Sequence, residues 1–179
     1  MLQVKEGQLD KLGLLFERYN KSLYGFFYRL TLDREVSEDL VQNVFLRMMK
    51  YKHSYKGDGQ FKTWMYHMAR NLFADHYRKS KKMGYKEDVE VTDKYFRNDS
   101  NAESNRIQRE EMDLLQHAMN QLTFEKKEVL ILSKYQEMRY KDIADLLGIT
   151  ESAVKVRIFR ALKDLKMVYM ELEATPSAQ

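Results

Sequence analysis

Apolar residues recur near the start of the chain at alternating intervals of three and four positions. Such intervals place the side chains on one stripe of an α-helix. The members of this stripe are Leu9, Leu12, Phe16, Tyr19, Leu23, Phe26 and Leu30. A second helix is predicted to begin near Asp33 or Ser37, because either side chain can cap a helix N-terminus, and to run to about Tyr51.

The residues after the second helix predict a loop and then a longer helix. The segment 53–60 contains Gly57, Asp58 and Gly59 and little that must be buried, which is typical of a loop. A third helix is predicted over residues 61–82, and its apolar side comprises Phe61, Met65, Met68, Leu72 and Phe73. These helices predict an N-terminal domain over residues 1–82.

The regular pattern stops after residue 82 and resumes near Arg106. Residues 83–105 lose their period and gather Asp, Glu, Asn and Ser, which predicts a flexible linker. The alternative is a mobile surface loop within one domain, although structureless loops of that length are uncommon in compact domains. Further helices are predicted over residues 106–122, 125–135, 140–147 and 151–173, with a frayed tail over 174–179. The prediction is therefore an all-α protein of two small domains, the second a four-helix domain over 106–173.

The pattern around Gly148 predicts a helix-turn-helix in the second domain. Gly148 can adopt the positive φ that ends the first helix, and Thr150 is placed to cap the second. Ala144 is small where the two helices must cross closely. The predicted inward positions are Ile143 and Leu147 on the first helix, Ile149 at the turn, and Val154, Ile158, Leu162 and Leu165 on the second.

The outward face of the second helix has the chemistry of a DNA-reading surface. It carries Glu151, Ser152, Lys155, Val156 and Phe159, flanked by Arg157 and Arg160. A helix of this diameter fits the major groove of DNA, where its N-terminal side chains meet base edges and the flanking arginines meet phosphates. The alternative is an ordinary helical hairpin with a basic exposed face.

Two faces of the N-terminal domain are also unusual. On the second helix, Asp39, Gln42, Leu46 and Met49 form a stripe that the core does not need, which favours a protein-docking surface. The alternative is that the first helix covers this stripe. On the third helix, aromatic residues alternate with bases, a combination that suits unpaired nucleic acid. The candidates for contact there are Tyr66, His67, Arg70 and Asn71, whereas Trp64 is assigned to the core.

Charge is concentrated where these faces lie. Residues 61–86 hold seven Lys or Arg against one acid, and residues 150–166 hold five against two. Residues 87–113, in contrast, hold nine acids against four bases. Two basic patches separated by an acidic segment indicate a polyanion bound at two places.

Composition excludes several classes of function. The chain has no cysteine, which excludes disulfide scaffolds, thiolate zinc sites and cysteine nucleophiles. Its four histidines lack metal-ligand spacing, and neither a phosphate-binding glycine loop nor an apolar carboxylate pair is present. No apolar run is long enough to cross a bilayer, and the first residues lack the apolar segment of a signal peptide. We therefore expect a cytoplasmic protein that is not an enzyme and uses no metal or cofactor.

Three motifs in order resemble those of bacterial RNA polymerase sigma factors. They are Asp39-Leu-Val-Gln-Asn-Val-Phe-Leu-Arg, then Phe61-Lys-Thr-Trp-Met-Tyr-His-Met-Ala-Arg-Asn with Asp75 and Arg78, and then the helix-turn-helix. The short chain with two domains is similar to the extracytoplasmic-function (ECF) group. Two positions depart from the family pattern: Thr123 stands near a frequent proline, and Val156 stands where serine is common.

The resemblance implies a partner for each face. The helix with Asp39, Gln42, Asn43, Leu46 and Met49 would dock on the clamp helices of the largest polymerase subunit, with the flap region as a further contact. The loop 53–60, with Tyr66, His67, Arg70 and Asn71, would capture a flipped base of the −10 element, and Arg78 and Lys79 belong to the same strand-opening face. The helix from Glu151, chiefly Lys155, Val156 and Phe159, would read the −35 element.

The same resemblance places the linker along the polymerase toward its RNA exit path. It also makes an anti-sigma factor an expected partner, and it places the protein at the nucleoid when it is bound to polymerase.

Two other classes of protein are also compatible with the sequence. One is a dimeric helix-turn-helix regulator that binds duplex DNA without polymerase, and it would need a self-complementary interface and a palindromic site. The other is an adaptor that binds only protein, which the basic reading helix disfavours.

Overall fold

The protein is described by a computed structural model that covers residues 1–57, 60–82 and 102–174. Its helices are α1 (Leu2–Lys5), α2 (Lys11–Thr31), α3 (Arg34–Lys50), α4 (Phe61–Lys82), α5 (Ala102–Asn120), α6 (Phe124–Leu130), α7 (Tyr140–Leu147) and α8 (Glu151–Ala174). A 3₁₀ turn spans Lys52–Ser54, and a π-helical turn spans Ile131–Tyr135. Over these ranges the chain has no strand, which confirms the all-α prediction. None of the helices in these ranges is long and apolar enough to span a bilayer.

Helices α2, α3 and α4 pack together as the N-terminal domain. Phe26 and Phe27 of α2, Val44 and Met48 of α3, and Met65 of α4 are fully buried between them. Asp33 is the residue that caps α3, since its carboxylate accepts a hydrogen bond from the amide of Val36 at 3.0 Å. Ser37, the other candidate cap, is buried and hydrogen-bonded to Thr31 and to the carbonyl of Asp33 instead.

The short helix α1, which the periodicity did not predict, braces the loop before α4. Val4 is fully buried, and the ammonium of Lys5 donates to the carbonyl of Tyr55 at 3.0 Å. The side chain of Leu2 lies against Gly57, whose φ of +82° suits glycine. One turn of helix is too short to show a hydrophobic period, so only tertiary contacts define it.

Helices α5 to α8 form the C-terminal domain and contain the predicted helix-turn-helix, α7 and α8. Gly148 ends α7 in the left-handed region with φ of +66°, and the hydroxyl of Thr150 accepts from the amide of Ala153 at 3.1 Å. Val154 and Ile158 are buried as predicted. The prediction for the next inward position is wrong, because Leu162 is 41% exposed and the smaller Ala161 is buried in its place.

The start of α5 differs from the predicted boundary. Helix α5 begins at Ala102, within the segment 83–105 that was predicted to be linker. The rest of that predicted linker, 83–101, lies outside the described residues, as do 58–59 of the predicted loop and 175–179 of the predicted tail.

The two domains are in contact. Their buried apolar residues form one continuous cluster that runs from Leu23 and Met65 in the N-terminal domain to Leu130 and Ile143 in the C-terminal domain. Helix α4 packs on α7, and the π-helical turn packs on α2. The position of the C-terminal domain on α4 decides which candidate site residues are accessible.

Candidate functional site

The candidate docking stripe on α3 is accessible. Leu46 and Met49 are 56% and 41% exposed, and Asp39 and Gln42 are also exposed. Asn43 is exposed as well, and its amide donates to the carbonyl of Asp39 at 2.8 Å. The alternative that α2 covers this stripe is therefore wrong, because α2 packs against the buried side of α3, where Phe16 meets Phe45 at a ring-centroid distance of 5.0 Å.

The outward face of α8 is accessible too. Phe159 is 71% exposed and Val156 is 49% exposed, which are high values for apolar side chains in a folded domain. Glu151, Ser152 and Arg160 are exposed, and Lys155 is paired with Glu151 across one helical turn at 2.9 Å. Arg157 is half-buried and lines a shallow cavity of about 520 Å³ together with Thr123, Val156 and Arg160.

The candidate −10 face on α4 is largely covered by the C-terminal domain. Tyr66, predicted to be a contact residue on the surface, is fully buried. Its hydroxyl donates to the side-chain oxygen of Gln136 at 2.6 Å and lies 2.9 Å from the hydroxyl of Ser22. Burial raises the pKa of Tyr66. In this arrangement, Tyr66 is a core residue of the domain interface.

Arg70 is occupied by a carboxylate of the other domain. Its guanidinium donates through two nitrogens to Glu128, at 2.5 and 3.3 Å. The Glu128 side chain is 2% exposed and that of Arg70 is 31% exposed, so most of this pair is shielded from water. Burial raises the pKa of Glu128, and the hydrogen bond and charge of Arg70 oppose that rise. Arg157 of α8 also lies close enough to interact with the carboxylate.

Three more contacts join the two domains around this pair. The ammonium of Lys62 donates to the backbone carbonyl of Gln136, and desolvation lowers the pKa of Lys62. The rings of Phe73 and Phe124 stack at 5.5 Å with an interplanar angle of 8°. The guanidinium of Arg29 lies over the ring of Tyr135 at 3.9 Å.

Other residues of the candidate −10 face stay accessible. His67, Asn71, Arg78 and Lys79 are exposed. Desolvation, and then the nearby charge of Arg70, lowers the pKa of His67. Arg78 shares the carboxylate of Asp75 with Arg47 of α3, and these hydrogen bonds lower the pKa of Asp75.

The aromatic cluster next to the predicted loop has a partly accessible member. Trp64, assigned to the core from its spacing, is half-buried. Its ring lies 5.2 Å from that of Tyr55 and 6.0 Å from that of Phe61. The loop 53–60 therefore begins at an aromatic surface, of the kind on which bases stack.

The residues that cover α4 have only a weak signal in the sequence. Each of the three polar residues in this contact looks like an ordinary polar position of an amphipathic helix or turn: Glu128 and Gln136 of the C-terminal domain, and Lys62 of α4. The usable signal is Glu128, which at helical spacing falls between Phe124 and Ile131, where a buried position is expected. Within the described ranges, no group of His, Asp and Glu side chains could hold a metal ion.

Comparison with known proteins matches both halves of the chain. Residues 15–83 match the family Sigma-70 region 2, and residues 112–165 match Sigma-70, region 4. The chain is 30% identical over 159 residues to the ECF RNA polymerase sigma factor SigM of Bacillus subtilis, covering 87% of this chain and 93% of SigM. It is also 30% identical over 166 residues to SigX of the same organism, covering 89% of this chain and 83% of SigX.

Solved structures have the same fold. CnrH, in complex with the cytosolic domain of CnrY, superposes with a TM-score of 0.73 at 21% identity, covering 95% of this chain and 94% of that one. The sigma factor RpoE of Bartonella quintana, in complex with the anti-sigma factor NepR, superposes with a TM-score of 0.73 at 20% identity. The match covers 89% of this chain and 97% of RpoE. From its two matched regions and its relatives, the chain belongs to the ECF group of bacterial RNA polymerase sigma factors.

Proposed function

We propose that this sigma factor uses three separate faces, one for each step of promoter recognition. The stripe of α3 docks on core RNA polymerase, α4 with the loop before it captures a base of the −10 element, and the outward face of α8 reads the −35 element. The observation that supports this division is exposure, because Leu46 on α3 and Phe159 on α8 are large apolar side chains that the fold leaves in water. The protein acts without chemistry of its own, in the cytoplasm, where polymerase and promoter DNA are found.

The docking face has the composition of a helix-binding surface. Its apolar centre, Leu46 and Met49, is flanked by Asp39, Gln42 and Asn43, which can make polar contacts at the rim. An apolar centre with a polar rim is the usual anatomy of a protein interface. The proposed partner is the pair of clamp helices of the largest polymerase subunit, with the flap region as a further contact.

The −35 face combines base-reading and phosphate-binding side chains on one rigid helix. Lys155, Val156 and Phe159 project from the first turns of α8, where a recognition helix enters the major groove. Arg157, Arg160 and Lys163 are placed to meet the phosphates alongside. Because Val156 offers no hydrogen bond, apolar contact with a thymine methyl is the readout proposed at that position.

An anti-sigma factor is a further proposed partner. The two solved structures described above were each determined with a bound protein, the cytosolic domain of CnrY in one and the anti-sigma factor NepR in the other. Those sequences are too distant to carry a contact surface over to this chain, so the proposal extends to the class of partner alone.

Reconstituted transcription tests the proposed function. We expect specific run-off transcripts when purified protein and core RNA polymerase are combined on a promoter mapped after overexpression, and none when either is omitted. A template with the −35 element scrambled is the matched control. Strong, palindrome-specific DNA binding by the protein alone, without transcription, would contradict the proposal and favour a dimeric regulator.

The proposal also predicts the effect of Lys155→Ala. Removing this ammonium should change the preferred base at one −35 position and weaken binding there by about 1–3 kcal/mol. Glu151 loses its ion-pair partner, but both side chains are exposed, so stability should hardly change. Selection of −35 sequences from a randomised pool measures the preference, with Lys166→Ala, further along the same helix, as the control. An unchanged preference would place Lys155 on the phosphate backbone instead.

A further inference from the structure

A cavity of about 810 Å³ lies between α2, α3 and the π-helical turn of the C-terminal domain. Three aromatic side chains line it, namely Phe16 and Tyr24 of α2 and Tyr135 at the end of the π-helical turn. Phe16 and Tyr135 are 43% and 39% exposed, so the fold leaves both rings accessible. A cavity of this size with aromatic walls and a few polar groups is typical of a small-molecule site.

The charged side chains that line the cavity favour an anion. Two cations belong to the lining, the exposed Lys21 and the half-buried Arg29. The acidic member of the lining, Glu38, is paired with Arg34 across one helical turn at 2.9 Å, so part of its charge is offset. Because a partly desolvated cation attracts an anion more strongly than one in water, Arg29 is the stronger of the two candidates for anion binding.

The guanidinium of Arg29 has a fixed position beside the cavity. Its Nη1 donates to the carbonyl of Gly25 at 2.9 Å, and the guanidinium lies over the ring of Tyr135 at 3.9 Å. A Cβ atom at position 25 would lie only 2.9 Å from Nη1, so the glycine leaves the space that this nitrogen occupies. A planar guanidinium that is already oriented loses little side-chain freedom when it binds a carboxylate or sulfonate.

The wall formed by the C-terminal domain consists of irregular backbone. The π-helical turn ends at Tyr135, Gln136 follows it, and Glu137 adopts a positive φ of +50°. A positive φ is unfavourable for a residue with a Cβ atom, and π-helical turns are frequent at functional sites. Tyr135 and Gln136, which line the cavity, lie at this irregular segment. The backbone of this wall therefore favours a binding site over a simple packing gap between helices.

We propose that the cavity binds a small planar aromatic anion. The rings of the ligand lie among Phe16, Tyr24 and Tyr135, and its carboxylate or sulfonate is held by Arg29, with Lys21 adding positive charge. Aromatic side chains stack favourably on a flat ring system, and the guanidinium selects for the negative charge. Binding of this ligand needs neither polymerase nor DNA, so it goes beyond the proposed function and is measured without it.

Titration with anilinonaphthalene sulfonate, a planar aromatic anion that fluoresces in apolar surroundings, tests the site on the full chain. We expect one saturable site in the wild type and at least about tenfold weaker binding in Arg29→Gln, because a hydrogen bond between charged groups is lost. Arg18→Gln is the matched control. Arg18 is on the same helix, lies over the ring of Tyr19 at 5.6 Å and is outside the cavity lining, so this variant should bind as the wild type does.

Gly25→Ala tests the position of the guanidinium without removing a charge. The added methyl group would displace Nη1 of Arg29, the atom that lies within 4 Å of the new Cβ position. We expect the probe to bind several-fold more weakly, although the net charge is that of the wild type. Circular dichroism establishes that each variant is folded, and Gly25→Ala replaces Arg29→Gln if that variant is not, because alanine is favourable in a helix.

Competition against the bound probe tests the chemical class of the ligand. Naphthoate should displace anilinonaphthalene sulfonate from the wild type, whereas naphthylmethanol, which has the same rings without the charge, should need at least about tenfold higher concentration. Equal displacement by the two compounds would overturn the preference for an anion. The absence of saturable probe binding, or equal binding by Arg29→Gln, Arg18→Gln and the wild type, would overturn the site, while run-off transcription would still report on the proposed function. Selective displacement by naphthoate, together with weaker binding in Arg29→Gln and Gly25→Ala, supports the proposal.

Discussion

Leu46→Asp is expected to abolish binding to core RNA polymerase while the protein stays folded. Leu46 is 56% exposed at the centre of the α3 stripe, so a charge placed there would be buried against the partner without compensation. Losing one central apolar contact of an interface typically costs about 2 kcal/mol or more, which weakens binding by about 30-fold or more. In the free protein, the change lies on the surface and should shift the free energy of unfolding by no more than about 1 kcal/mol.

Pull-down with core polymerase and urea unfolding, measured on the same preparation, check this prediction. Met112→Asp is the matched control, since Met112 is 57% exposed on α5 and lies outside the proposed docking face. It should bind polymerase as the wild type does. If Leu46→Asp unfolds the N-terminal domain, the stripe is part of the core after all, and if it binds normally, the docking face lies elsewhere.

Phe159→Asp is expected to eliminate recognition of the −35 element. Phe159 is 71% exposed on the outward face of α8, between Lys155 and Lys163, where DNA would approach. Aspartate removes an apolar contact with a base and adds a charge that phosphates repel. Because a single base contact contributes about 1–3 kcal/mol of discrimination, the loss of affinity should be at least about tenfold.

Binding to a duplex that carries the −35 element measures this effect, with Met167→Asp as the control on the same helix. Met167 is 52% exposed two turns further along α8, beyond the turns that enter the groove. Its replacement by aspartate should preserve most of the affinity. Equal losses in both variants would indicate a general electrostatic effect and would argue against a reading role for Phe159.

Local chemistry allowed much of the fold to be predicted from the sequence. Asp33 and Thr150 cap helices because a short polar side chain stands just before an apolar period, and Gly148 ends α7 because it can take a positive φ. The sequence also distinguishes the exposed stripe of α3 from its buried stripe, because two apolar stripes on different sides of one helix cannot both pack against α2. These are interactions within a few residues, and the sequence records them directly.

The contacts between the domains could not be predicted in this way. Tyr66 looks like a surface aromatic among bases, and its burial depends on Gln136, which lies 70 positions further along the chain. The π-helical turn Ile131–Tyr135, which directly precedes Gln136, was predicted as ordinary helix. On α8, the small Ala161 rather than Leu162 occupies the buried position, because another helix approaches closely there. The spacing of apolar residues alone does not predict this. Which residue faces a neighbour depends on where the neighbour lies.

The chemical make-up of the domain boundary sets how this protein should respond to ionic strength. A continuous apolar cluster, a shielded ion pair, a ring stack and neutral hydrogen bonds contribute to the contact between the two domains, and added salt weakens such interactions little. DNA binding, in contrast, releases counterions and falls steeply with salt concentration. We therefore expect that raising the salt concentration weakens DNA binding by this protein while the contact between its two domains persists.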